Sequence, residues 1–296
     1  MTDDIPTFSV IMPSYNHEKY INYAISSVLA QSLASLELII VDGFSTDSSR
    51  KIIQSWIERD PRVKGIFQAK NEGIARGVND GLKNAKGKYI ALTASDDMFK
   101  PYAFERVAKL LNEYDVVVID AECISSSNKV ISLYFSQLYK KPTTDNIFSE
   151  LIKGNFICTG FFKRSILMEN DQHYYNENFK YLSDWLFWLE LARYHSVIYV
   201  NEPLYYYRLH SSSSHLNSDI GFDALRAYDY VLEKYGDVLD LKSKEALLNN
   251  KAFINQNYCN PSIIGKIKHQ VADQVYRNIF LVKILLMIKT LSGHKL

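Results

Sequence analysis

The chain has 296 residues, which is enough for one large α/β domain with an appendage or for two modest domains. Hydrophobic residues make up 47% and charged residues 23%, and the formal net charge of +1 excludes a global field that would attract nucleic acid. The three cysteines are odd in number and far apart, which excludes a disulfide framework or zinc site and favours a reducing cytoplasm. Residues 1–4 carry acids where a secretory signal would carry positive charge.

The first 120 residues alternate between predicted strands and predicted helices. Strands are expected at 8–12, 36–41, 63–68, 89–93 and 116–120, and helices at 20–31, 47–58, 74–84 and 101–114. This alternation predicts a mostly parallel sheet with helices on both faces. Ligands of such sheets bind beyond the carboxyl ends of the strands.

From about residue 121 the alternation stops. Residues 121–217 are rich in aromatic side chains, with a helix expected at 185–194 and a strand at 197–200. Residues 218–296 are expected to be helical. The chain therefore divides into three parts, 1–120, 121–217 and 218–296.

Polar residues follow three of the predicted strands, at 13–16, 42–47 and 95–97. In the third segment, Asp96 and Asp97 are adjacent carboxylates, which repel each other unless a cation or hydrogen bonds compensate. Mg²⁺ and Mn²⁺ prefer oxygen ligands and often use one or two carboxylates plus substrate phosphates. The alternative is that one of the two residues only caps the following helix.

Four motifs occur in order along this part of the chain. They are Ser-Val-Ile-Met-Pro-Ser-Tyr-Asn at 9–16, Ile-Ile-Val-Asp-Gly-Phe-Ser-Thr-Asp at 39–47, Asn71-Glu72-Gly73 with Asn79 and Gly81, and Gly87-Lys88-Tyr89-Ile90 with Ser95-Asp96-Asp97. Together they resemble the family 2 glycosyltransferases, strongly over 7–120 and more weakly over 121–215. The resemblance implies the α/β GT-A fold, with a nucleotide-sugar half at 1–120, an acceptor half at 121–217 and a C-terminal helical region at 218–296. It also implies an inverting enzyme that requires Mn²⁺ or Mg²⁺ and a nucleotide-sugar donor, UDP-linked rather than GDP- or dTDP-linked.

The same resemblance implies residues that bind the donor. Pro13, Tyr15, Asp42 and Asp96 are expected at the donor, with Asp42 accepting from the base, and Asp97 is expected to be the direct metal ligand. Two departures from the family pattern are Phe44, where a second Gly is common, and Ser95, where many members have the first acid of an Asp-x-Asp motif. Arg76 has two open interpretations, a contact with a donor phosphate or a solvated helix position.

The second half of the chain is expected to supply a general base, a further metal ligand and the acceptor side. Asp184 opens a predicted helix at the point where family members place their catalytic acid, although Ser183 or Asp184 could instead be the helix cap. His210 resembles a family histidine that approaches the metal or diphosphate. Gly160 resembles an acceptor-side glycine loop, with an ordinary turn as the alternative, and Trp185 is placed on the same acceptor side.

The C-terminal part has several lysines and an apolar run at 279–291 that is too short and too charged to span a bilayer. It could contact an anionic membrane surface or pack on the catalytic domain or a second subunit. We therefore expect a cytoplasmic protein, free or at the inner face of the cell membrane, with a glycan or a lipid-linked molecule as acceptor.

Two rival functions are weighed against this prediction. A sugar nucleotidyltransferase would need a glycine-rich basic loop after the first strand, and residues 13–17 contain no glycine. Gly43, Phe44 and Ser95 depart from the family pattern. A degenerate domain that binds nucleotide sugar without turnover therefore remains an alternative.

Overall fold

The structure, a computed structural model, describes residues 5–134, 146–154, 157–169, 174–210 and 220–258. The predicted membrane-contact segment of the C-terminal part lies outside these residues. Of the described helices, none is both long enough and apolar enough to cross a bilayer.

The described strands form a nine-stranded sheet. They are β1 (Phe8–Ser14), β2 (Leu36–Asp42), β3 (Val63–Phe67), β4 (Tyr89–Leu92), β5 (Met98–Phe99), β6 (Val116–Ser125), β7 (Val130–Tyr134), β8 (Thr159–Lys163) and β9 (Val197–Leu209). The order is β3-β2-β1-β4-β8-β6-β9-β5, and β7 pairs with β6 off this path. Parallel pairing joins β3, β2, β1 and β4, and also β6 with β9.

Eight α-helices accompany the sheet in the described ranges. They are α1 (Ile21–Leu29), α2 (Ser49–Arg59), α3 (Ile74–Asn84), α4 (Ala103–Leu110), α5 (Ile147–Ile152), α6 (Ser183–Tyr194), α7 (Ile220–Tyr235) and α8 (Leu241–Tyr258), with a 3₁₀ helix at Arg164–Met168. The predicted α/β class is confirmed, as are all five strands and four helices expected in the first 120 residues. The described part of 218–296 is helical, as expected.

The central strands bury both of their faces, because successive side chains point to opposite sides of a sheet. Val10 and Met12 of β1 lie in one apolar core with α1 and α4. Ile11 lies in the other core, with α3 and α6. The continuous apolar sequences of β1 and β2 follow from this two-sided burial.

The sheet contains an antiparallel strand that the sequence does not predict. β8 lies between β4 and β6 and runs antiparallel to both. It thereby joins the predicted nucleotide half to the predicted acceptor half in one sheet. The expected boundary at residue 120 also falls inside β6, which continues to Ser125.

Candidate active site

The carboxyl ends of β1, β2 and β4 bring three polar segments to one edge of the sheet. β1 pairs in parallel with both β2 and β4, so the segments that follow these strands are neighbours. The end of β9 reaches the same edge, since the backbone N–H of Arg208 donates to Asp97 Oδ1 at 2.7 Å. Four segments that are separated in the sequence therefore form a single surface in the fold.

One carboxylate and two imidazoles meet at this edge. His210 Nε2 lies 2.8 Å from Asp96 Oδ2, and His17 Nε2 lies 3.8 Å from the same oxygen. One ligand atom from each residue falls within 4.8 Å of the other two, an arrangement that could hold a metal ion. His17 Nδ1 forms a 2.7 Å hydrogen bond with Ser95 Oγ, which orients the ring.

The electrostatics of this cluster favour an ionised Asp96. Burial by itself raises the pKa of the Asp96 carboxyl, but the hydrogen bond from His210 and the charge of His17 outweigh it and lower the pKa. The carboxylate therefore stays available as a ligand.

Asp97 has a different role in the fold from its neighbour. It is 5% exposed, and its Oδ1 accepts from the Arg208 backbone. Burial and then the charge of Asp96 raise its pKa well above the usual range. Among the described residues, the cluster that could hold a metal contains Asp96 and not Asp97, and the role of Asp97 as the direct ligand stays a prediction.

Arg208 ties Asp96 and Asp97 to β9 from the inside of the protein. Its side chain is 1% exposed, and its Nε donates to the Asp96 carbonyl oxygen at 2.5 Å. Its guanidinium lies 4.8 Å from the centre of the Tyr20 ring. The loop that carries the acid pair is thus held by a buried cation that the sequence analysis did not identify.

The predicted nucleotide-binding residues lie beside this cluster. Asp42 is fully buried at the end of β2, and its Oδ1 accepts from Ser45 N at 3.1 Å and lies 3.2 Å from Arg50 Nε. Tyr15 is 46% exposed. Pro13 packs against α3, where a Cβ on Gly77 would lie 3.6 Å from the Pro13 Cβ.

Arg76 lies on α3 with 41% of its side chain exposed, and two carboxylates lie close to its guanidinium. Its Nε lies 3.0 Å from Asp80 Oδ1, and its Nη1 lies 3.6 Å from Glu177 Oε2. These ion pairs hold it along α3 and against the segment that precedes α6. Arg76 therefore already has two carboxylate partners, and its contact with a donor phosphate stays a prediction.

Asp184 lies in the first turn of α6, and its Oδ1 accepts from the Trp185 backbone N–H at 2.7 Å. The helix begins at Ser183 with Leu182 at the cap position, so neither Ser183 nor Asp184 is the cap. Asp223 Oδ2 of α7 accepts from the backbone N–H groups of Tyr181 and Leu182 instead. Asp184 is exposed, yet the surrounding protein displaces enough water that desolvation raises its pKa to about 6.

A chain of contacts positions Asp184 relative to the predicted nucleotide half. Asn79 of α3 donates to the Tyr175 carbonyl oxygen at 2.9 Å and accepts from its N–H at 2.8 Å. The Tyr175 ring lies 4.8 Å from the ring of Phe187 on α6. Burial is the main cause of the raised pKa of Tyr175. The charge of Asp184 raises this pKa further, so the phenol lies near that carboxylate.

Two predicted acceptor-side residues are instead part of the core. Trp185 is 2% exposed, and its Nε1–H donates to the Leu151 carbonyl oxygen at 3.1 Å, so its ring cannot stack on an acceptor sugar. Gly160 lies inside β8 rather than in a loop or turn. A Cβ at Gly160 would lie 2.8 Å from the Trp188 ring, so the glycine is required by packing.

The chain matches the family model described as glycosyl transferase family 2 over residues 9–170. It is 30% identical over 218 residues to an uncharacterized glycosyltransferase of a Nostoc species, with 71% of this chain and 67% of the relative covered. It is 40% identical over 113 residues to TuaG, a putative teichuronic acid biosynthesis glycosyltransferase of Bacillus subtilis, with 38% and 45% covered.

Two solved structures show the same fold. TarS of S. aureus, in a complex with UDP-GlcNAc, has a TM-score of 0.64 and 22% identity over 84% of this chain and 72% of its own. The mannosyltransferase PcManGT of Pyrobaculum calidifontis, in a complex with GDP-Man and Mn²⁺, has a TM-score of 0.58 and 14% identity over 98% of this chain and 88% of its own. At these identities the likeness concerns the fold.

Proposed function

Since the chain belongs to glycosyl transferase family 2, we propose that it transfers a sugar from a nucleoside diphosphate sugar to a hydroxyl group of a glycan or lipid-linked acceptor, with inversion at the anomeric carbon. The observation that carries the proposal is the meeting of Asp42 and the His17–Asp96–His210 cluster at one sheet edge. A base contact and a cation site at one edge match the two ends of a nucleoside diphosphate.

The donor nucleotide is held at the ends of β1 and β2. Asp42 receives the base, and Tyr15, exposed after β1, is placed to contact the nucleoside. Pro13 shapes the floor of the site where β1 meets α3. The role that the sequence gave to Arg76 at a phosphate is not part of this proposal, because Asp80 and Glu177 already neutralise it.

A divalent cation fits the chemistry of the donor set, with His17, Asp96 and His210 as its protein ligands. Two imidazoles suit Mn²⁺ better than Mg²⁺, which prefers an all-oxygen shell. When bound, the cation supplies charge neutralisation for the diphosphate leaving group. Asp97 supports this site by anchoring the loop to β9.

Asp184 is the general base of the proposed reaction. Its pKa of about 6 lies close to neutral pH, where a base is both ionised and able to accept a proton. As Asp184 takes the proton from the acceptor hydroxyl, the oxygen forms a bond to the anomeric carbon. The bond to the diphosphate breaks on the opposite face, and the nucleoside diphosphate leaves with that electron pair.

Thermal unfolding of the purified protein with UDP, GDP, dTDP and CMP, each with and without Mn²⁺, tests donor binding. Ligand at a hundredfold over its Kd should add about 2.7 kcal/mol of stability. Stabilisation by a nucleoside diphosphate that requires Mn²⁺ supports the proposal, whereas no response to any nucleotide contradicts it. NMR of the sugar released by slow donor hydrolysis then reports the anomer, and retention would contradict an inverting reaction.

A further inference from the structure

His17 differs from His210, the other imidazole of the cluster, in where it lies. It belongs to the segment between β1 and α1, outside any helix or strand, and 21% of its side chain is exposed. His210 directly follows β9, and only 2% of its side chain is exposed. A ligand carried on a loop is placed precisely only if neighbouring groups lock it. The contacts of His17 therefore decide whether it can serve as a ligand.

The chain just before His17 is bound to the loop between β2 and α2. Asn16 has a left-handed backbone with a φ of 55°, and its side-chain oxygen accepts from the Thr46 backbone N–H at 2.8 Å. The Asn16 backbone N–H donates to Ser45 Oγ at 2.9 Å. The turn that leads into His17 is therefore fixed by two hydrogen bonds from a neighbouring loop.

Asp47 holds the chain at His17 and just beyond it. Its Oδ2 accepts from the Glu18 backbone N–H at 3.0 Å, and its Oδ1 accepts from the Ser49 backbone N–H at 2.9 Å. Ser49 is fully buried, and its Oγ accepts from the His17 backbone N–H at 3.0 Å. The Glu18 carboxylate in turn accepts from the Ser48 backbone N–H at 2.9 Å. One carboxylate thus fixes the peptide groups of His17 and Glu18, the first through Ser49 and the second directly.

The ring of His17 is held from a different part of the sheet edge. Ser95, which is 1% exposed in the segment after β4, forms the 2.7 Å hydrogen bond with Nδ1. Because the peptide and one ring nitrogen are both fixed, the other nitrogen, Nε2, stays on the side of Asp96 Oδ2. The His17 and His210 rings lie 5.9 Å apart at 87° to each other. Two imidazoles from two separate segments therefore reach one carboxylate.

We propose that Asp47 is a positioning residue of the metal site, an inference that rests on the cation of the proposed transfer. Asp47 acts through His17, because it holds the peptide that brings the imidazole to Asp96 and His210 as a third protein ligand. Asp47 is also the last residue of the motif at 39–47. The motif then serves both ends of the donor, the nucleoside through Asp42 and the cation through Asp47.

The third ligand decides which cation the site prefers. Mg²⁺ keeps several waters and binds through few carboxylates, so it gains little from an added imidazole. Mn²⁺ accepts nitrogen as well as oxygen ligands. Release of His17 should therefore weaken the binding of Mn²⁺ far more than that of Mg²⁺. A general loss of loop structure would weaken the binding of both cations alike.

A double-mutant cycle in the full chain tests the inference, with Mn²⁺ and Mg²⁺ as probes. Asp47→Ala should weaken Mn²⁺ binding by about ten- to a hundredfold, the usual effect of losing a group that orients a metal ligand, and Mg²⁺ binding by less than about threefold. In the His17→Ala background, the same substitution should change Mn²⁺ affinity by less than about twofold, because the ligand that it positions is gone. Electron paramagnetic resonance measures free Mn²⁺, and competition with Mn²⁺ measures Mg²⁺.

The matched control lies at the other end of α2. Asp60 follows the last residue of this helix, and its Oδ1 accepts from the Arg62 backbone N–H at 3.0 Å. Asp60→Ala therefore removes a loop carboxylate that accepts from the backbone, as Asp47→Ala does. The affinities for both cations should stay at the wild-type values.

Electron spin-echo modulation of bound Mn²⁺ counts the imidazole nitrogens directly. The wild-type protein should show two, and Asp47→Ala should show one, as His17→Ala should. Ser49→Ala removes the oxygen that accepts from the His17 backbone N–H and should give the same signature, which keeps the test decisive if Asp47→Ala does not fold.

The outcomes separate this inference from the function it rests on. If Asp47→Ala weakens Mn²⁺ binding equally in both backgrounds, or weakens the binding of both cations alike, Asp47 only supports the loop and the inference is wrong while the proposed transfer stands. A single imidazole nitrogen in the wild-type protein would remove His17 from the ligands and overturn the inference. Failure of the proposed transfer would instead appear as the absence of any response to nucleotides in thermal unfolding.

Discussion

His210 Nε2, one residue beyond β9, lies 2.8 Å from Asp96 Oδ2, four residues beyond β4. The two residues are 114 positions apart in the chain, and β4 and β9 are separated in the sheet by β8 and β6. Their contact therefore forms only when β4, β8, β6 and β9 have assembled into one sheet. It also brings Asp96, rather than Asp97, into the cluster with His17 and His210.

The first prediction distinguishes Asp96 from Asp97 as the metal ligand. Asp96→Asn should weaken Mn²⁺ binding by at least about a hundredfold, the upper end of the effect of losing a supporting group around a metal. Asp97→Asn keeps an oxygen that can accept from the Arg208 backbone, so Mn²⁺ affinity should change by less than about threefold. Titration of free Mn²⁺ by electron paramagnetic resonance measures both. The reverse pattern would restore Asp97 as the direct ligand.

The second prediction concerns the proposed base. Asp184→Asn should lower the rate of sugar transfer by about two to four orders of magnitude, while nucleotide affinity stays unchanged. The variant should unfold at the same temperature as the wild type or at a higher one near pH 7, because it removes a desolvated charge. Steady-state kinetics and thermal unfolding of one preparation check both. Transfer at the wild-type rate would remove Asp184 from the chemistry.

The third prediction is a pH profile. The Asp184 pKa is raised to about 6, and the base must be deprotonated, so kcat should fall as the pH drops through about 6 and level off above about 7. The free energy of unfolding should change with pH in the opposite direction. The Asp184 carboxyl stabilises the fold most at low pH, and this contribution is lost as the pH rises through about 6. The histidines of the proposed metal site also take up protons at low pH and could release the metal. Measuring kcat at saturating donor and Mn²⁺ prevents this release from changing the profile. A flat kcat between pH 5 and 7 would contradict the assignment.

The fourth prediction concerns Gly160 as a packing residue. In Gly160→Ala the new Cβ would lie 2.8 Å from the Trp188 ring and 3.0 Å from the Val117 carbonyl oxygen. This overpacking should lower the free energy of unfolding by about 1–3 kcal/mol, and thermal unfolding measures it. Gly77→Ala on α3 is the matched control, since its Cβ meets Pro13 at an ordinary 3.6 Å and should be neutral or stabilising by about 0.5–1 kcal/mol. Equal unfolding temperatures for the two variants would show that β8 accommodates the extra carbon.

Local sequence was enough to predict the strands and helices of residues 1–120. Strands β1 to β4 and helices α1 to α4 appear where hydrophobic periodicity predicts them, because each is set by short-range patterning and two-sided burial. The same dependence on short-range patterns explains why β8 was not predicted. Its residues, Thr159–Lys163, have a glycine that signals a turn, and only the Trp188 ring packed against that glycine explains its place in a central strand.

The sequence by itself determined the α/β class, the family, and the delivery of Asp42, Asp96 and Asp97 to strand ends, because these follow from periodicity and from motifs read along the chain. Only the tertiary structure decided that His17 joins Asp96 and His210, and that Arg208 and Asp97 brace them. The physical reason is that a side chain's role depends on the partners that satisfy its charge and hydrogen bonds. Those partners come from strands and helices distant in sequence, which meet when the sheet forms.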